Sequence, residues 1–354
     1  MMSYEVTIEP LGQVIEVEEG QTILDAALRA GVWLPHACGH GLCATCKIDV
    51  VDGEVDLGEA SPFALMDMER AEGKALACCA IPQSDLTIEV EMDEDPDARA
   101  IPLRDFEATV ESIVELTPTI RGIFLRVAED VDFQAGQYIN LYIPGLPEPR
   151  AFSIASAPSQ ANLIELNVRK VPGGIGTGWL HDDLSVGQTL KFSGPLGRFY
   201  LRHSDPKPVI FIAGGSGLSS PKSMILELLE VGDQRKITLL QGARNLAELY
   251  YYDFFTELEN QYPQFHYIPV LSDETDGSDW QGERGFVHEA AGRAFNEDFR
   301  DHKAYLCGPP PMIEASIRSL MRGRLYERDI HMEKFLSAAD AANQATRSPL
   351  FKNI

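Results

Sequence analysis

The sequence predicts a multidomain protein of mixed α+β and α/β class: a small acidic β-rich module, then an antiparallel β-barrel, then a parallel strand–helix domain. Three observations carry this. The 354 residues exceed the ~100–200 of a usual single domain. The charge is uneven: residues 1–100 hold 21 acids and 5 bases, a net of −16, leaving −8 of the total −24 for the rest. The hydrophobic pattern also changes twice, from alternation with one short helix, to short alternating runs between Gly and Pro, to apolar runs followed by helical ones.

In the first module YEVTIEP and QVIEVEE alternate in period two and read as a hairpin. Thr22-Ile23-Leu24-Asp25 reads as a capping box opening a short helix that Gly31 stops. The acid- and proline-rich stretch from Glu91 to Pro102 reads as a linker. From Val110 to about Leu201, runs such as YINLYI, AFSIAS and LIELNVRK predict the barrel. From Pro208 onward VIFIAGG then MILELLE, KITLLQG then LAELYYYDFF, and AYLCGPP then MIEASIRSLM predict a parallel sheet. The expected domains are 1–95, 102–203 and 206–336, with an unassigned tail from 337 to 354.

Hydrophobic residues at 44% exclude a disordered chain, and the charge of −24 disfavours nucleic acid and anionic membranes as partners. No apolar run approaches the ~20 residues of a membrane helix, and MMSYEVTIEP lacks the features of a signal peptide. A cytoplasmic protein is expected. Five of the six cysteines fall between Cys38 and Cys79, which points to metal binding rather than a disulfide framework.

Cys38, Cys43 and Cys46 have the spacing C-x4-C-x2-C, and LACCAIP supplies a fourth candidate, the pattern of a plant-type [2Fe–2S] site. Small residues in CGHGLCATC let the backbone wrap closely and turn N–H groups toward sulfur. A structural zinc site is the alternative, but it normally uses paired C-x2-C units. Spacing does not decide between Cys78 and Cys79. LACCAIPQSDLTIEV is similar to the closing segment of plant-type ferredoxins, and that resemblance implies Cys78 as ligand with Cys79 a bystander. A Rieske site would pair each Cys with a nearby His, so His36 and His40 are expected to be exposed non-ligands.

Arg150-Ala151-Phe152-Ser153 resembles the R-x-Y-[ST] flavin motif of the ferredoxin–NADP reductase superfamily, with Phe in place of the usual Tyr. The resemblance implies that Arg150 pairs with the FAD pyrophosphate, Phe152 lies on the isoalloxazine and Ser153 hydrogen-bonds flavin N5. GGIGTGWL resembles the second phosphate loop, implying FAD contacts from Gly174 and Thr177. VIFIAGGSGLSSPKS reads as strand, glycine turn and helix, with Ser220 as candidate N-cap and Pro221 first in the helix. Gly214, Gly215, Ser216 and Gly217 resemble the nicotinamide loop of the superfamily, where glycines admit a dinucleotide's phosphates. Cys307-Gly308-Pro309 resembles its C-G-P-P motif beside the nicotinamide, implying that Cys307 lines the site of hydride transfer. Glu333-Lys334-Phe335 resembles the C-terminal segment whose aromatic, here Phe335, covers the flavin. Glu248 would disfavour a 2′-phosphate, hence NADH over NADPH, although nearby Arg244 argues the other way.

In order and content the chain looks like the reductase components of bacterial multicomponent oxygenases, those of aromatic monooxygenases in particular. The resemblance implies a β-grasp ferredoxin domain, a six-stranded FAD barrel and an NAD domain. It also implies electron flow from NADH through FAD and [2Fe–2S] to a diiron hydroxylase partner. Alternatives of similar make-up are a reductase serving a ring-hydroxylating dioxygenase or another oxygenase, and a non-enzymatic electron carrier or redox sensor.

Overall fold

A computed structural model describes residues 2–37, 39, 41–92, 95–274 and 278–335. Cys38, His40 and the tail from 337 to 354 lie outside the described residues. The chain forms two compact units, Met1–Arg104 and Asp105–Ile354.

The first unit contains β1 (Ser3–Glu9), β2 (Gln13–Glu18), α1 (Ile23–Arg29), β3 (Lys47–Asp52), β4 (Val55–Asp56), α2 (Asp67–Ala71), β5 (Lys74–Leu76), β6 (Ile81–Pro82) and β7 (Leu86–Glu89). Its main sheet runs β2-β1-β7-β3-β5, with β1 and β7 parallel and the other pairs antiparallel, the mixed sheet of a β-grasp. Alternation fixes its inner face: Val6, Ile8, Ile15, Val17, Ile48 and Ile88 are buried. Ile23, Leu24, Ala26 and Ala27 of α1 join that core, each large one contributing roughly 1.5–3 kcal/mol by leaving water. Thr22 caps α1, its hydroxyl accepting from the Asp25 N–H at 3.3 Å, and Gly31 follows the helix at φ 77°. The linker's end is not loose: the Leu103 N–H donates to the Leu28 carbonyl at 2.9 Å.

The second unit opens with β8 (Arg104–Glu115), β9 (Ile120–Val127), β10 (Tyr138–Tyr142), β11 (Arg150–Ser153), β12 (Leu163–Arg169), α3 (Ile175–Asp182) and β13 (Thr189–Leu196). These strands form a six-stranded sheet in the order β11-β10-β13-β8-β9-β12, and an Ile154–Leu166 bridge brings its two ends together as a nearly closed barrel. Phe106, Leu125, Leu166 and Phe192 fill its interior. The segment GGIGTGWL, expected as a loop, is instead largely the helix α3. Leu180 buries one side of it while Gly174 forms the N-cap.

The unit continues with β14 (Val209–Gly214), α4 (Ser219–Glu230), β15 (Ile237–Ala243), α5 (Tyr252–Gln261), β16 (Phe265–Leu271), β17 (Glu283–Arg284), α6 (Val287–Ala294), β18 (Lys303–Gly308), α7 (Pro310–Arg322) and β19 (Ile330–Lys334). All six strands are parallel, in the order β17-β16-β15-β14-β18-β19. Every residue of β14 is buried, as a central parallel strand covered on both faces requires. The connection order reverses between β14 and β18, so the carboxyl ends of these neighbours mark the crevice where open α/β sheets take ligands.

Two local expectations are corrected. LAELYYYDFF is not one helix: a short 3-10 turn over Leu246–Glu248 is capped by Asn245, and α5 begins only after Tyr251, which takes φ 59°. Helical propensity yields there because two tyrosines turn into the protein. Nor is Ser220 an N-cap: a 3-10 turn over Gly215–Leu218 precedes α4, which starts at Ser219, and the Ser220 hydroxyl is spent elsewhere.

Candidate functional site

The cysteine loop of the first unit is shaped by its backbone. Gly39, Gly41 and Ala44 take φ of 71°, 72° and 61° within six residues. A Cβ on Gly41 would stand 2.7 Å from the Cys79 sulfur and 3.2 Å from the Ala60 Cα, so only glycine closes the loop here. Closure delivers the Gly41 N–H to the Cys78 sulfur at 3.3 Å. The Cys46 thiol donates to the same sulfur at 3.2 Å. Cys46 and Cys78 are buried, and half-buried Cys43 is close enough for its charge to act on both.

Because Cys46 shares its proton with Cys78, that hydrogen bond lowers the Cys78 thiol to about 6, while the same bond and then burial drive Cys46 far above a normal thiol. Crowded thiols that cannot all ionise alone suit a cationic centre. Cys79 lies 3.7 Å from Cys78, and burial first, then the Cys78 charge, push it up to about 12. Cys78 and not Cys79 thus meets Cys46. Among the described residues no three metal-ligating side chains close a site by themselves; Cys38, the remaining candidate, is outside them. The donors present, soft sulfurs in contact with a backbone N–H aimed at one of them, fit a [2Fe–2S] cluster. His36, expected to be exposed, is half-buried with a ring nitrogen 2.7 Å from the Leu34 carbonyl.

The second unit gathers its polar groups at the switch point. Ala213 of β14 is paired with Cys307 of β18, and Cys307 with Glu333 of β19. The turn after β14 crosses the end of β18 so closely that a Cβ on Gly217 would lie 2.4 Å from the Cys307 carbonyl oxygen. Glu333 Oε2 accepts hydrogen bonds from Ser153 at 3.1 Å and Ser220 at 3.2 Å, with the Cys307 sulfur at 3.8 Å. Burial of this carboxyl raises it to about 7, and the two hydroxyls only partly offset that. Burial likewise pushes the Cys307 thiol well above its normal range, helped by the Glu333 charge, and does the same to the Tyr138 hydroxyl. Tyr138 is paired with Ser153 across β10 and β11. The Phe335 N–H donates to the Gly308 carbonyl at 3.0 Å, holding the end of the described chain against this corner.

The start of α4 ties this corner to the barrel. Ser219 through Ile225 are all buried, and each polar side chain among them has a partner. Ser219 donates to the Ser216 carbonyl, Ser223 to the Ser156 carbonyl at 2.6 Å, and Lys222 pairs with Glu165 at 2.5 Å. Tyr251 donates to the other Glu165 oxygen at 2.6 Å, and Tyr250 to the Gly215 carbonyl at 3.0 Å.

On β12, Glu165, Asn167 and Arg169 alternate onto one face. Glu165 meets α4, and Arg169 reaches to 3.8 Å from where a Gly215 Cβ would be. Between them Asn167, 5% exposed, leaves both amide atoms without a hydrogen-bond partner. An orphaned buried amide beneath a glycine turn at a switch point is what a polar heteroaromatic ligand would satisfy, and the site fits a flavin with a dinucleotide.

Other expected residues lie nearby in two groups. The exposed Arg150 folds onto the Glu148 and Pro149 carbonyls at 2.9 and 3.0 Å. Its Cγ is 3.6 Å from where a Gly176 Cβ would be, so Arg150 borders the α3 start, where Gly174 is the N-cap and Thr177 accepts from the Val171 N–H. Phe152 is half-buried against the barrel core. Glu248 is engaged twice, by Thr119 at 2.8 Å and Arg244 at 3.1 Å, so the two residues read above as opposed are paired. Pro309 forms the N-cap of α7.

The sequence reading missed Glu333 itself, Ser220 as its donor, Asn167, and the Lys222–Glu165–Tyr251 network. The available signal was polar residues in apolar runs: SSPKS opening a central helix, and a lone carboxylate in IHMEKF.

Comparisons with known proteins agree in all three parts of the chain. Residues 6–83 match a 2Fe-2S iron-sulfur cluster binding domain, residues 107–200 an oxidoreductase FAD-binding domain and residues 211–318 an oxidoreductase NAD-binding domain. The chain is 59% identical over 353 residues to the reductase component of phenol 2-monooxygenase from Pseudomonas sp. (strain CF600), covering 100% of both. It is 58% identical to the phenol hydroxylase P5 protein of Acinetobacter pittii (strain PHEA-2), again over 100% of both. Among solved structures it resembles the Amycolatopsis reductase GcoB, with 38% identity, TM-score 0.84 and coverage of 94% of this chain and 98% of that one.

Proposed function

Since the chain belongs to the family of oxygenase reductases that join a 2Fe-2S domain to FAD- and NAD-binding oxidoreductase domains, we propose that it is the NADH-dependent reductase of a phenol-hydroxylating monooxygenase and feeds a diiron hydroxylase. The observation that carries this is the full-length match to phenol monooxygenase reductases, joined to thiols at one site and a hydrogen-bonded carboxylate at the other. When bound, FAD takes two electrons from NADH as a hydride and gives them up singly, and the cluster accepts them one at a time. A protein holding all three converts paired electrons into single ones.

The chain's own residues bind, orient and manage protons. Cys38, Cys43, Cys46 and Cys78 are the proposed cluster ligands. Arg150 and the α3 start, with Gly174 and Thr177, form the proposed cradle for the FAD pyrophosphate. Phe152 and Phe335 offer flat apolar surface, and the Asn167 amide offers a donor and an acceptor to a ring edge. Gly214, Gly215, Ser216 and Gly217 bring backbone N–H groups within reach of NADH, with Gly308 and Pro309 opposite, and Glu248 is assigned to ribose. Ser153 and Cys307 line the reacting centre. Ser153 relays a proton to and from Glu333 Oε2, a carboxyl near neutrality and therefore able both to hold and to release one. None of the five described cysteines is in a disulfide, in keeping with the cytoplasm, where the reading places the protein. Among the described residues no helix is long and apolar enough to cross a membrane.

Anaerobic titration of the purified protein with NADH tests the reading. Flavin absorbance should bleach, followed by iron–sulfur absorbance, and adding the oxygenase should couple NADH consumption to phenol hydroxylation. Bleaching without coupling to any phenol-hydroxylating oxygenase would leave a reductase of another oxygenase system.

A further inference from the structure

One buried network ties the two walls of the crevice at the switch point. On the barrel side the chain leaves β11 at Ser153 and runs through Ile154, Ala155 and Ser156 beside β12, bridging Leu166 from Ile154. The Ala155 N–H donates to the Glu165 carbonyl at 2.8 Å, and the Glu165 N–H donates to the Ser156 hydroxyl at 3.2 Å. Glu165 is thereby fixed to backbone that begins two residues after Ser153. On the other side stand α4 and the glycine turn at Gly215.

The strand–helix domain reaches across at several points. Lys222 Nζ donates to Glu165 Oε2 at 2.5 Å and to the Ala155 carbonyl at 3.3 Å, and Ser223 donates to the Ser156 carbonyl at 2.6 Å. Tyr251 donates to Glu165 Oε1 at 2.6 Å, and its ring centre lies 4.8 Å from the Lys222 ammonium. Its chain neighbour Tyr250 serves the opposite wall, donating to the Gly215 carbonyl at 3.0 Å. Two adjacent residues therefore grip both walls, one hydroxyl on the barrel carboxylate and the other on the glycine turn.

Stability alone does not call for such a tie. A buried Lys–Glu pair gives up the hydration of both charges, and apolar side chains of similar volume hold two surfaces at least as well. Tyr251 also takes φ 59°, a left-handed conformation that is costly for a bulky residue. What the network adds is direction: each oxygen of Glu165 has its own donor, so the walls cannot slide past each other as an apolar contact could. Hydride transfer needs its reacting atoms about 3–3.5 Å apart, and a misplacement of ~1 Å costs about 10²-fold in rate. The stretch after Ser153 and the turn at Gly215 belong to the walls assigned above to flavin and NADH.

We propose that Lys222, Glu165 and Tyr251 are positioning residues for hydride transfer, which set the spacing between the flavin wall and the nicotinamide wall of the crevice. This rests on the reading of that crevice as the site of both groups.

The test uses the FAD-loaded full chain with NADH as probe, without oxygen. Stopped-flow bleaching of flavin absorbance at rising NADH separates the Kd from the limiting rate, and the long-wavelength absorbance of nicotinamide stacked on flavin reports their contact. Tyr251→Phe keeps the ring beside Lys222 and removes one hydroxyl. Lys222→Met/Glu165→Met/Tyr251→Phe replaces the whole network by apolar groups of similar size, so no charge is left stranded and the melting temperature should exceed that of Lys222→Met. The limiting rate should fall severalfold in Tyr251→Phe and about tenfold in the triple variant, with the stacking absorbance reduced in step and the Kd for NADH within about twofold of wild type. Arg293→Ala, at an exposed ion pair, should change none of these. A limiting rate that returns to the wild-type value in the triple variant would make the network merely structural and overturn the proposal. A raised Kd with an unchanged limiting rate would make it a nucleotide-binding element and overturn it equally. Should the triple variant lose its FAD, Tyr251→Phe decides by the same measures. Failure of the wild-type flavin to bleach with NADH would instead overturn the functional reading beneath.

Discussion

The cysteine loop of the first unit and the carboxylate corner of the second are built by opposite means. Around Cys46 and Cys78 the chain crowds sulfurs that share one proton and turns the Gly41 backbone N–H toward one of them. Around Glu333 it surrounds one carboxyl with two hydroxyls and a thiol. The first arrangement is incomplete without a cation; the second is satisfied alone and tuned to neutrality. Electron storage calls for the former and proton exchange for the latter.

The strongest way to break this contrast is at the incomplete site. Cys46→Ser should abolish the cluster, read as loss of iron and acid-labile sulfide, while NADH-driven ferricyanide reduction through the flavin persists. At the satisfied site the effect is graded. Ser153→Ala should lower NADH–ferricyanide turnover about 10²-fold, within the range for positioned proton transfer. Glu333→Gln should remove an inflection near pH 7 from that pH profile, because the group titrating there is gone. A carboxyl raised from 4.5 to about 7 binds its proton more tightly when folded, so its contribution is complete below pH 4.5 and lost as pH rises through about 7. The melting-temperature gap between Glu333→Gln and wild type should therefore widen in favour of the variant across that window.

Between barrel and sheet the expected effect falls on stability. Lys222→Met strands Glu165 in a site where both side chains are under 10% exposed, and should cost about 3–5 kcal/mol in unfolding of the second unit. Removing the exposed Arg293–Glu283 pair should cost under about 1 kcal/mol. The smallest effect is expected at Asn167→Leu: a severalfold loss of FAD affinity with little change in melting temperature, because its amide has no protein partner to lose.

Legibility in the sequence followed the range of the interactions. Spacing along the chain revealed the cysteine loop, since Cys38, Cys43 and Cys46 are sequence neighbours, and alternation revealed β1, β2 and the barrel strands. Resemblance singled out Ser153 and Cys307, which the fold brings to one carboxylate. What stayed hidden depends on contacts between residues far apart: Ser153 and Glu333 are separated by 180 positions, Lys222 and Glu165 by 57. LAELYYYDFF misled for the same reason, its helical pattern overridden where Tyr250 and Tyr251 reach Gly215 and Glu165. GGIGTGWL, read by resemblance as a phosphate loop, is largely helical, and Gly178 donates to the Gly174 carbonyl as a helix residue does.

Those two tyrosines also mark where the nicotinamide domain passes from a surface turn to residues locked inward. Glu248 and Arg244 sit on a short surface turn just upstream of the residues pinned to the glycine crossing and the barrel. If Glu248 meets the ribose as proposed, substitutions on that turn should retune which pyridine nucleotide is admitted while the contacts of Tyr250 and Tyr251 are kept, which opens coenzyme preference to re-engineering.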